Sequence, residues 1–142
     1  MPLIVVSGTG GLSPMGMNKN GDQAVPASST DLKVINWTPR SGYAATVITN
    51  NELVAGGAGA VTARCGVNIT GSLPFLGVRR FQLMLNDTVA KSVDSDQTTV
   101  VFTDTPLTLA AGDRLWLRMT QPETFTATVV SGVNTYLYFD LA

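Results

Sequence analysis

The segment 112–120 constrains the fold most, because a Gly-Asp turn leads directly into strictly alternating apolar and polar residues. Three aliphatic side chains share one parity of this alternation, and a tryptophan between two arginines takes the other. A period of two is the geometry of a β-strand with one buried face. The residues of the second parity are Arg114, Trp116 and Arg118. Because exposure to water alone does not account for an Arg-Trp-Arg face, we predict that it contacts another subunit.

Short strand-like runs separated by turn residues continue from residue 32 to residue 142. Their regular spacing, with no helical stretch of ten residues, is typical of a sandwich of two sheets. The predicted strands are 32–37, 43–49, 52–55, 60–70, 78–85, 89–93, 98–103, 107–109, 115–120, 125–130 and 136–141. We therefore predict an all-β fold, a jelly-roll β-sandwich of about eight antiparallel strands, with an immunoglobulin-like sandwich as the alternative.

The first 31 residues follow a different pattern, because glycine, proline and serine replace any strand or helix period. We predict an extended N-terminal arm over residues 1–31 and a jelly-roll domain over residues 32–142. The arm holds one strand-sized apolar run, made of Leu3, Ile4, Val5 and Val6. We predict that this run binds a particle by adding a strand to a partner's sheet edge. The alternative is a tail that covers its own domain.

Composition narrows the classes of partner. Charged residues make up 13% of the 142-residue chain, about half the ~25% of an ordinary soluble domain, which favours surface hidden in an assembly. The net charge of −1 supplies no basic field for a phosphate backbone, so no nucleic acid partner is predicted. The apolar run near the start is too short to cross a membrane and lacks the basic flank of a signal peptide. No membrane partner is predicted.

The residues available for chemistry argue against catalysis. The chain has no histidine, which removes Ser-His-Asp and Cys-His mechanisms and the commonest ligand of transition metals. Most aspartates lie beside Asn, Ser, Thr or Gly, where an Asp side chain caps a turn. Asp94 and Asp96 could offer oxygen ligands to calcium, but the loop lacks the glycine and glutamate of an EF-hand. We predict no enzyme activity, no catalytic residue, no metal site and no cofactor.

The single cysteine, Cys65, excludes a disulfide within the chain. Its parity matches that of the apolar residues 61, 63, 67 and 69 around it. A thiol on the buried face of a strand is desolvated, which keeps it in the unreactive neutral form. We therefore predict a buried, inert thiol.

The last predicted strand, 136–141, is apolar on both faces. One parity carries aliphatic and phenylalanine side chains, and the other carries Tyr136 and Tyr138. Tyrosine, tryptophan and arginine are the residue types that dominate the energetic anchors of interfaces. Together with the Arg-Trp-Arg face, Tyr136 and Tyr138 are the predicted subunit contact. The alternative is that part of the same chain covers one of these faces.

Three motifs resemble the trimeric heads of the complement C1q and tumour-necrosis-factor type. They are Ala-Ala-Gly-Asp-Arg-Leu-Trp-Leu at 110–117, Phe-Gln-Leu-Met-Leu-Asn-Asp-Thr-Val-Ala at 81–90 and Thr-Tyr-Leu-Tyr-Phe-Asp-Leu-Ala at 135–142. They occur in the family's order within residues 32–142. The resemblance implies a compact homotrimer with the closing strand near the three-fold axis, used for binding or display and not for catalysis.

Heads of this kind also occur in bacteriophage virion proteins, which leads to a functional prediction by analogy. We predict a non-enzymatic virion structural protein, namely a homotrimeric capsid decoration (cementing) protein made in the host bacterial cytoplasm. Its arm would bind the major capsid protein or another virion protein. Two alternatives stay open. One is a phage tail or fibre head, and the other is a carbohydrate-binding jelly roll that uses Trp37, Tyr43 or Trp116 as a stacking platform for a sugar.

Overall fold

A computed structural model describes residues 11–70 and 77–142. In these two ranges every helix or strand that is assigned is a β-strand. The strands are β1 (Met15–Lys19), β2 (Gln23–Val25), β3 (Ser29–Lys33), β4 (Trp37–Pro39), β5 (Ile48–Thr49), β6 (Glu52–Val54), β7 (Gly59–Thr70), β8 (Arg79–Leu85), β9 (Thr88–Ser95), β10 (Thr99–Val101), β11 (Thr105–Leu109), β12 (Arg114–Gln121), β13 (Ala127–Val129) and β14 (Gly132–Leu141).

The described strands form two sheets. The first sheet has the order β2-β13-β7-β14-β1-β4, with β10 and β11 also paired to β7. The second sheet has the order β5-β6-β12-β8-β9, with β3 also paired to β12. Neighbouring strands run antiparallel in both sheets. The predicted all-β antiparallel sandwich is therefore confirmed.

The core lies between the sheets and follows the alternation of their central strands. On β12 of the second sheet the buried apolar residues are Leu115, Leu117 and Met119, and on β14 of the first sheet they are Leu137 and Phe139. All five belong to one hydrophobic cluster, to which every second residue of β7 also contributes. Full burial of an aliphatic or aromatic side chain contributes about 1.5–3 kcal/mol. These contacts fix which face of each sheet points inward.

One end of this core is polar. The Arg79 guanidinium is fully buried and its Nε donates a hydrogen bond to Oε1 of Gln121 at 3.1 Å. The Gln121 amide donates in turn to the carbonyls of Val25, Pro26 and Phe125. Burial lowers the pKa of Arg79, because desolvation disfavours its charged form. This polar pair links β8 and β12 where the aliphatic core ends.

The structure differs from the predicted division of the chain at residue 32. Strand β1 lies inside the first sheet between β14 and β4, and its Met15 and Met17 are buried in the core. The sequence of β1 shows only two apolar residues around Gly16, too few for a clear period of two. Its place in the fold comes from pairing with β14, more than a hundred residues away. The predicted particle-binding residues 3–6 lie outside the described residues, and their role stays a prediction.

Candidate functional site

Strand β14 presents two tyrosines on the outer face of the first sheet. Because Leu137 and Phe139 point into the core, Tyr136 and Tyr138 point to the opposite side. The strand lies between β7 and β1, so the tyrosines occupy the interior of the sheet and not its edge. Their ring centroids are 5.7 Å apart with tilted planes, a separation at which aromatic rings attract each other.

Glycines on both neighbouring strands make room for the rings. Gly66 of β7 is paired with Tyr136, and a Cβ atom there would lie 2.8 Å from Cε1 of its ring. Gly16 of β1 is paired with Tyr138, and a Cβ atom there would lie 2.8 Å from the tyrosine Cβ. The Tyr136 ring therefore lies directly over the backbone of β7. The result is a broad aromatic surface close to the backbone of the sheet.

Two arginines flank these rings. The Cζ atom of Arg40 lies 4.6 Å from the ring centroid of Tyr138 and 5.2 Å from that of Tyr136. The Cζ atom of Arg64 lies 6.0 Å from the Tyr138 centroid on the other side. Cation–π contacts of this kind contribute about 0.5–1 kcal/mol at exposed sites. Arg40 also donates from Nη1 to Oδ1 of Asn18 at 2.8 Å.

A third tyrosine completes the surface. The Tyr43 ring centroid is 5.5 Å from that of Tyr138, and its hydroxyl donates to Oδ1 of Asp140 at 3.1 Å. Arg64 donates from Nη1 to the other oxygen of Asp140 at 3.0 Å. Burial raises the pKa of Tyr43, and the Asp140 carboxylate raises it further.

Burial also raises the pKa of Tyr136, and the neighbouring Tyr138 contributes in the same direction. Partial burial of these two side chains thus favours their neutral phenols. We call it the tyrosine patch, made of Tyr43, Tyr136 and Tyr138 with Arg40 and Arg64.

The outer face of the second sheet carries the Arg-Trp-Arg side chains of β12. Arg114 donates from Nη1 to the buried Glu52 at 2.9 Å, and Lys33 forms an ion pair with the same carboxylate. The Lys33 ammonium lies 4.9 Å from the ring centroid of Trp116. Arg118 donates from Nε to Oε1 of Gln82 at 2.7 Å. The polar groups of this face are thus occupied by partners in the same chain.

The five predicted interface residues therefore fall on two opposite outer faces of the sandwich, and one surface cannot contain all of them. The structure brings Tyr136 and Tyr138 together with three residues that were not predicted there, Tyr43, Arg40 and Arg64. The parity of β7 could have placed Arg64 on the outer face. The position of Arg64 beside Tyr138 could not have been inferred from the sequence, because the pairing of β7 with β14 joins segments far apart in the chain.

The three aromatic residues considered as a sugar platform are also separated. Tyr43 belongs to the tyrosine patch on the first sheet, and Trp116 lies on the second sheet, with its Nε1 donating to the carbonyl of Asn86 at 2.8 Å. The Trp37 Nε1 donates to the carbonyl of Val34 at 2.9 Å, and its ring packs against the core. No two of them form a common stacking surface.

The cysteine and the carboxylates lie apart from one another in the described parts of the chain and form no group that could hold a metal ion. Cys65 is buried, as predicted, and desolvation raises the pKa of its thiol. Within residues 11–70 and 77–142 no three His, Cys, Asp or Glu side chains are grouped so that they could hold a metal ion. The same residues contain no helix that is long and apolar enough to span a membrane.

Comparison with known proteins identifies the fold. No protein-family model and no curated protein sequence matches the chain. Among solved structures, the Eiger TNF structure from S. frugiperda matches with a TM-score of 0.67 and 15% identity, over 92% of this chain and 93% of that one. GITRL from bushbaby matches with a TM-score of 0.55 and 16% identity, over 92% of this chain and 95% of that one.

GITRL from pika matches with a TM-score of 0.50 and 15% identity, over 75% of this chain and 88% of that one. At such identities the likeness concerns the fold alone. The chain has the jelly-roll fold of tumour-necrosis-factor-type structures, which confirms the fold expected from the sequence resemblance.

Proposed function

We propose that the chain is a non-enzymatic structural protein that forms a homotrimer through the tyrosine patch. The observation that supports this most is the arrangement of Tyr136 and Tyr138 in the interior of an outer sheet face, where the Tyr136 ring lies directly over Gly66. Tyrosine and arginine are the residue types that anchor protein interfaces. The resemblance to trimeric heads implies the same strand, the closing one, at the three-fold axis.

The surroundings of the patch favour a protein partner over solvent. Val101 of β10 is paired with Gly66, so its side chain, 63% exposed, extends the aromatic surface formed by the neighbouring Tyr136. Contiguous apolar surface of this kind on an outer face is typical of an interaction site. The low share of charged residues, 13%, agrees with surface that is covered in an assembly.

The setting we propose for this trimer is a virion. There it would decorate the capsid and contact the major capsid protein or another virion protein through residues 3–6. The support is the analogy between C1q/TNF-type trimeric heads and the heads of virion proteins, together with the composition, and the proposal includes synthesis in the host bacterial cytoplasm. A tail or fibre head would use the same trimer. A sugar-binding role receives no support from the positions of Trp37, Tyr43 and Trp116.

Light scattering on matched variants tests the trimer. Tyr138→Glu removes the central ring of the proposed contact and places a carboxylate beside Arg40, so the aromatic anchor and the free cation are both lost and the trimer should dissociate to folded monomers. Val89→Glu adds the same charge to an exposed position on the edge strand β9 of the second sheet and should keep the trimer mass. A monomer mass for the unaltered protein would refute the proposal.

Mass spectrometry of purified particles tests the setting. Phage particles banded on a density gradient from the source culture should contain peptides of this chain. A chain lacking residues 2–10 keeps every described strand and should still form the trimer, but it should no longer co-sediment with particles. Full binding by this truncated chain would place the attachment surface on the sandwich. Absence of the chain from purified particles would refute the virion role and leave the trimer unaffected.

A further inference from the structure

We propose that Arg40 of each copy forms an ion pair with Asp104 of the next copy around the trimer. This proposal rests on the trimer proposed above and identifies the two surfaces that meet in it. A cyclic trimer requires a heterologous contact, in which one surface of a subunit meets a different surface of its neighbour. The tyrosine patch therefore needs two dissimilar flanks.

The sheet order places the two residues on opposite flanks of the tyrosines. Arg40 follows β4, and its backbone N–H donates to the carbonyl of Gly16 on β1 at 2.8 Å. Asp104 lies between β10 and β11, which both pair with β7. Because the order is β4-β1-β14-β7 with β10 and β11 beyond, Tyr138 lies between the two charges. Rotation about an axis near β14 brings one flank of each copy towards the opposite flank of the next.

The Arg40 cation on the first flank has no counter-charge among the described residues. Within residues 11–70 and 77–142, Arg40 takes part in no ion pair, and its polar contact is the neutral amide of Asn18. Its guanidinium is held over the rings of Tyr136 and Tyr138, which leaves little rotamer entropy to lose on binding. A planar cation held in this way suits a carboxylate partner.

The Asp104 carboxylate on the second flank can also accept a cation from a neighbouring copy. The Asp104 side chain is 61% exposed and accepts one hydrogen bond, from Nε of Arg64 at 3.2 Å. Arg64 also pairs with Asp140, so it keeps a carboxylate when Asp104 accepts a second cation. Three other exposed aspartates face the second sheet, where they pair with its arginines. They are Asp31, Asp87 and Asp94.

Charge reversal in both directions tests the pair by sedimentation analysis. Arg40→Asp and Asp104→Arg should each raise the trimer dissociation constant at least about tenfold, because each places like charges opposite one another. The double variant should recover most of that loss. The matched control reverses an exposed pair on the second sheet, Arg80 with Asp94, and should leave the trimer constant unchanged.

A double-mutant cycle with neutral substitutions tests the same ion pair if a reversed charge disturbs folding. With Arg40→Gln and Asp104→Asn, the loss in the double variant should be smaller than the product of the two single losses, because both remove the same contact. Raising the salt concentration should weaken the unaltered trimer more than the double amide variant. Independent, multiplying losses in a protein that still forms trimers would overturn the ion pair alone. A monomeric unaltered protein would overturn the trimer itself.

Discussion

The two outer faces of the sandwich carry the same residue types, yet they differ in where their polar groups are satisfied. On the second sheet, the buried Glu52 pairs with Arg114 and Lys33, and Lys33 covers the ring of Trp116. On the first sheet, Arg40 lies over Tyr136 and Tyr138 without an ion pair in the described chain. The first face thus leaves Arg40 without an ion pair within the described residues, whereas Arg114 and Lys33 of the second face share one buried carboxylate.

This difference shows that the same alternation of aromatic and polar side chains along a strand occurs in two different settings. What separates the two faces is the set of neighbouring strands. Strand β6 supplies a buried carboxylate next to β12, whereas β1 and β7 supply glycines next to β14. Substitutions on the second sheet should therefore change the free energy of unfolding, and substitutions on the first sheet should change assembly.

The largest effect is expected from Gly66→Val, which adds neither charge nor aromatic surface. The new side chain would collide with the ring of Tyr136 and force it out of its low position. We expect the trimer dissociation constant to rise about a hundredfold, equivalent to about 2.7 kcal/mol. Sedimentation analysis measures this value. Ser92→Val, at an exposed position of the edge strand β9 in the second sheet, introduces the same side chain and is the control that should leave it unchanged.

A smaller effect, of a different kind, is expected from Trp116→Ala on the second sheet. The half-buried ring is paired across the strands with Met84, which is itself buried. Losing this cover should lower the free energy of unfolding by about 2 kcal/mol, below the ~3–5 kcal/mol for a fully buried large aromatic residue, because the ring is only half-buried. Denaturant titration measures it. The trimer mass of the folded protein should not change, and dissociation without loss of stability would contradict the division between the faces.

The fold was predictable because its strongest signals are local. The alternation in β12, β7 and β14 fixed which residues are buried, and Asn86 adopts the positive φ of 55° that suits the predicted turn between β8 and β9. Strand β1 was missed because its apolar period is interrupted at Gly16. Its position depends on a ladder with the far end of the chain, which no local pattern reveals.

The candidate site was predictable only in part, for the same reason. Tyr136 and Tyr138 were found from the two-sided apolar character of their own strand. Arg40, Arg64 and Tyr43 were missed because they reach the patch through pairings between strands distant in sequence. Trp116 and its arginines lie on the other sheet, which their parity could not reveal because parity gives the face of a strand but not the sheet to which the strand belongs, and their role in a subunit contact stays a prediction.

Removing the charge of Glu52 should destabilise the outer face of the second sheet. Glu52→Gln keeps the shape of the side chain but weakens its contacts with Arg114 and Lys33, which are both partly exposed and can be solvated by water. We expect a loss of about 1.5 kcal/mol in the free energy of unfolding, in the range for hydrogen bonds to charged groups. Thermal and denaturant unfolding measure it. A change in trimer mass would contradict the structural role assigned to Glu52.

The smallest effect is a loss of stability at alkaline pH, caused by ionisation of tyrosines on the outer face of the first sheet. Burial raises the pKa of Tyr43 and Tyr136, so the folded protein favours their neutral form. The stability this contributes is fully present below the ordinary tyrosine pKa of about 10 and is lost as pH rises through the higher folded values. The melting temperature should therefore fall between about pH 9 and pH 11, more steeply for the unaltered protein than for the variant combining Tyr43→Phe and Tyr136→Phe. Lysines titrate in both proteins alike, so the difference in slope isolates the two phenols. Equal slopes would mean that the tyrosine patch is fully solvated, which would remove the physical basis for treating it as an interface.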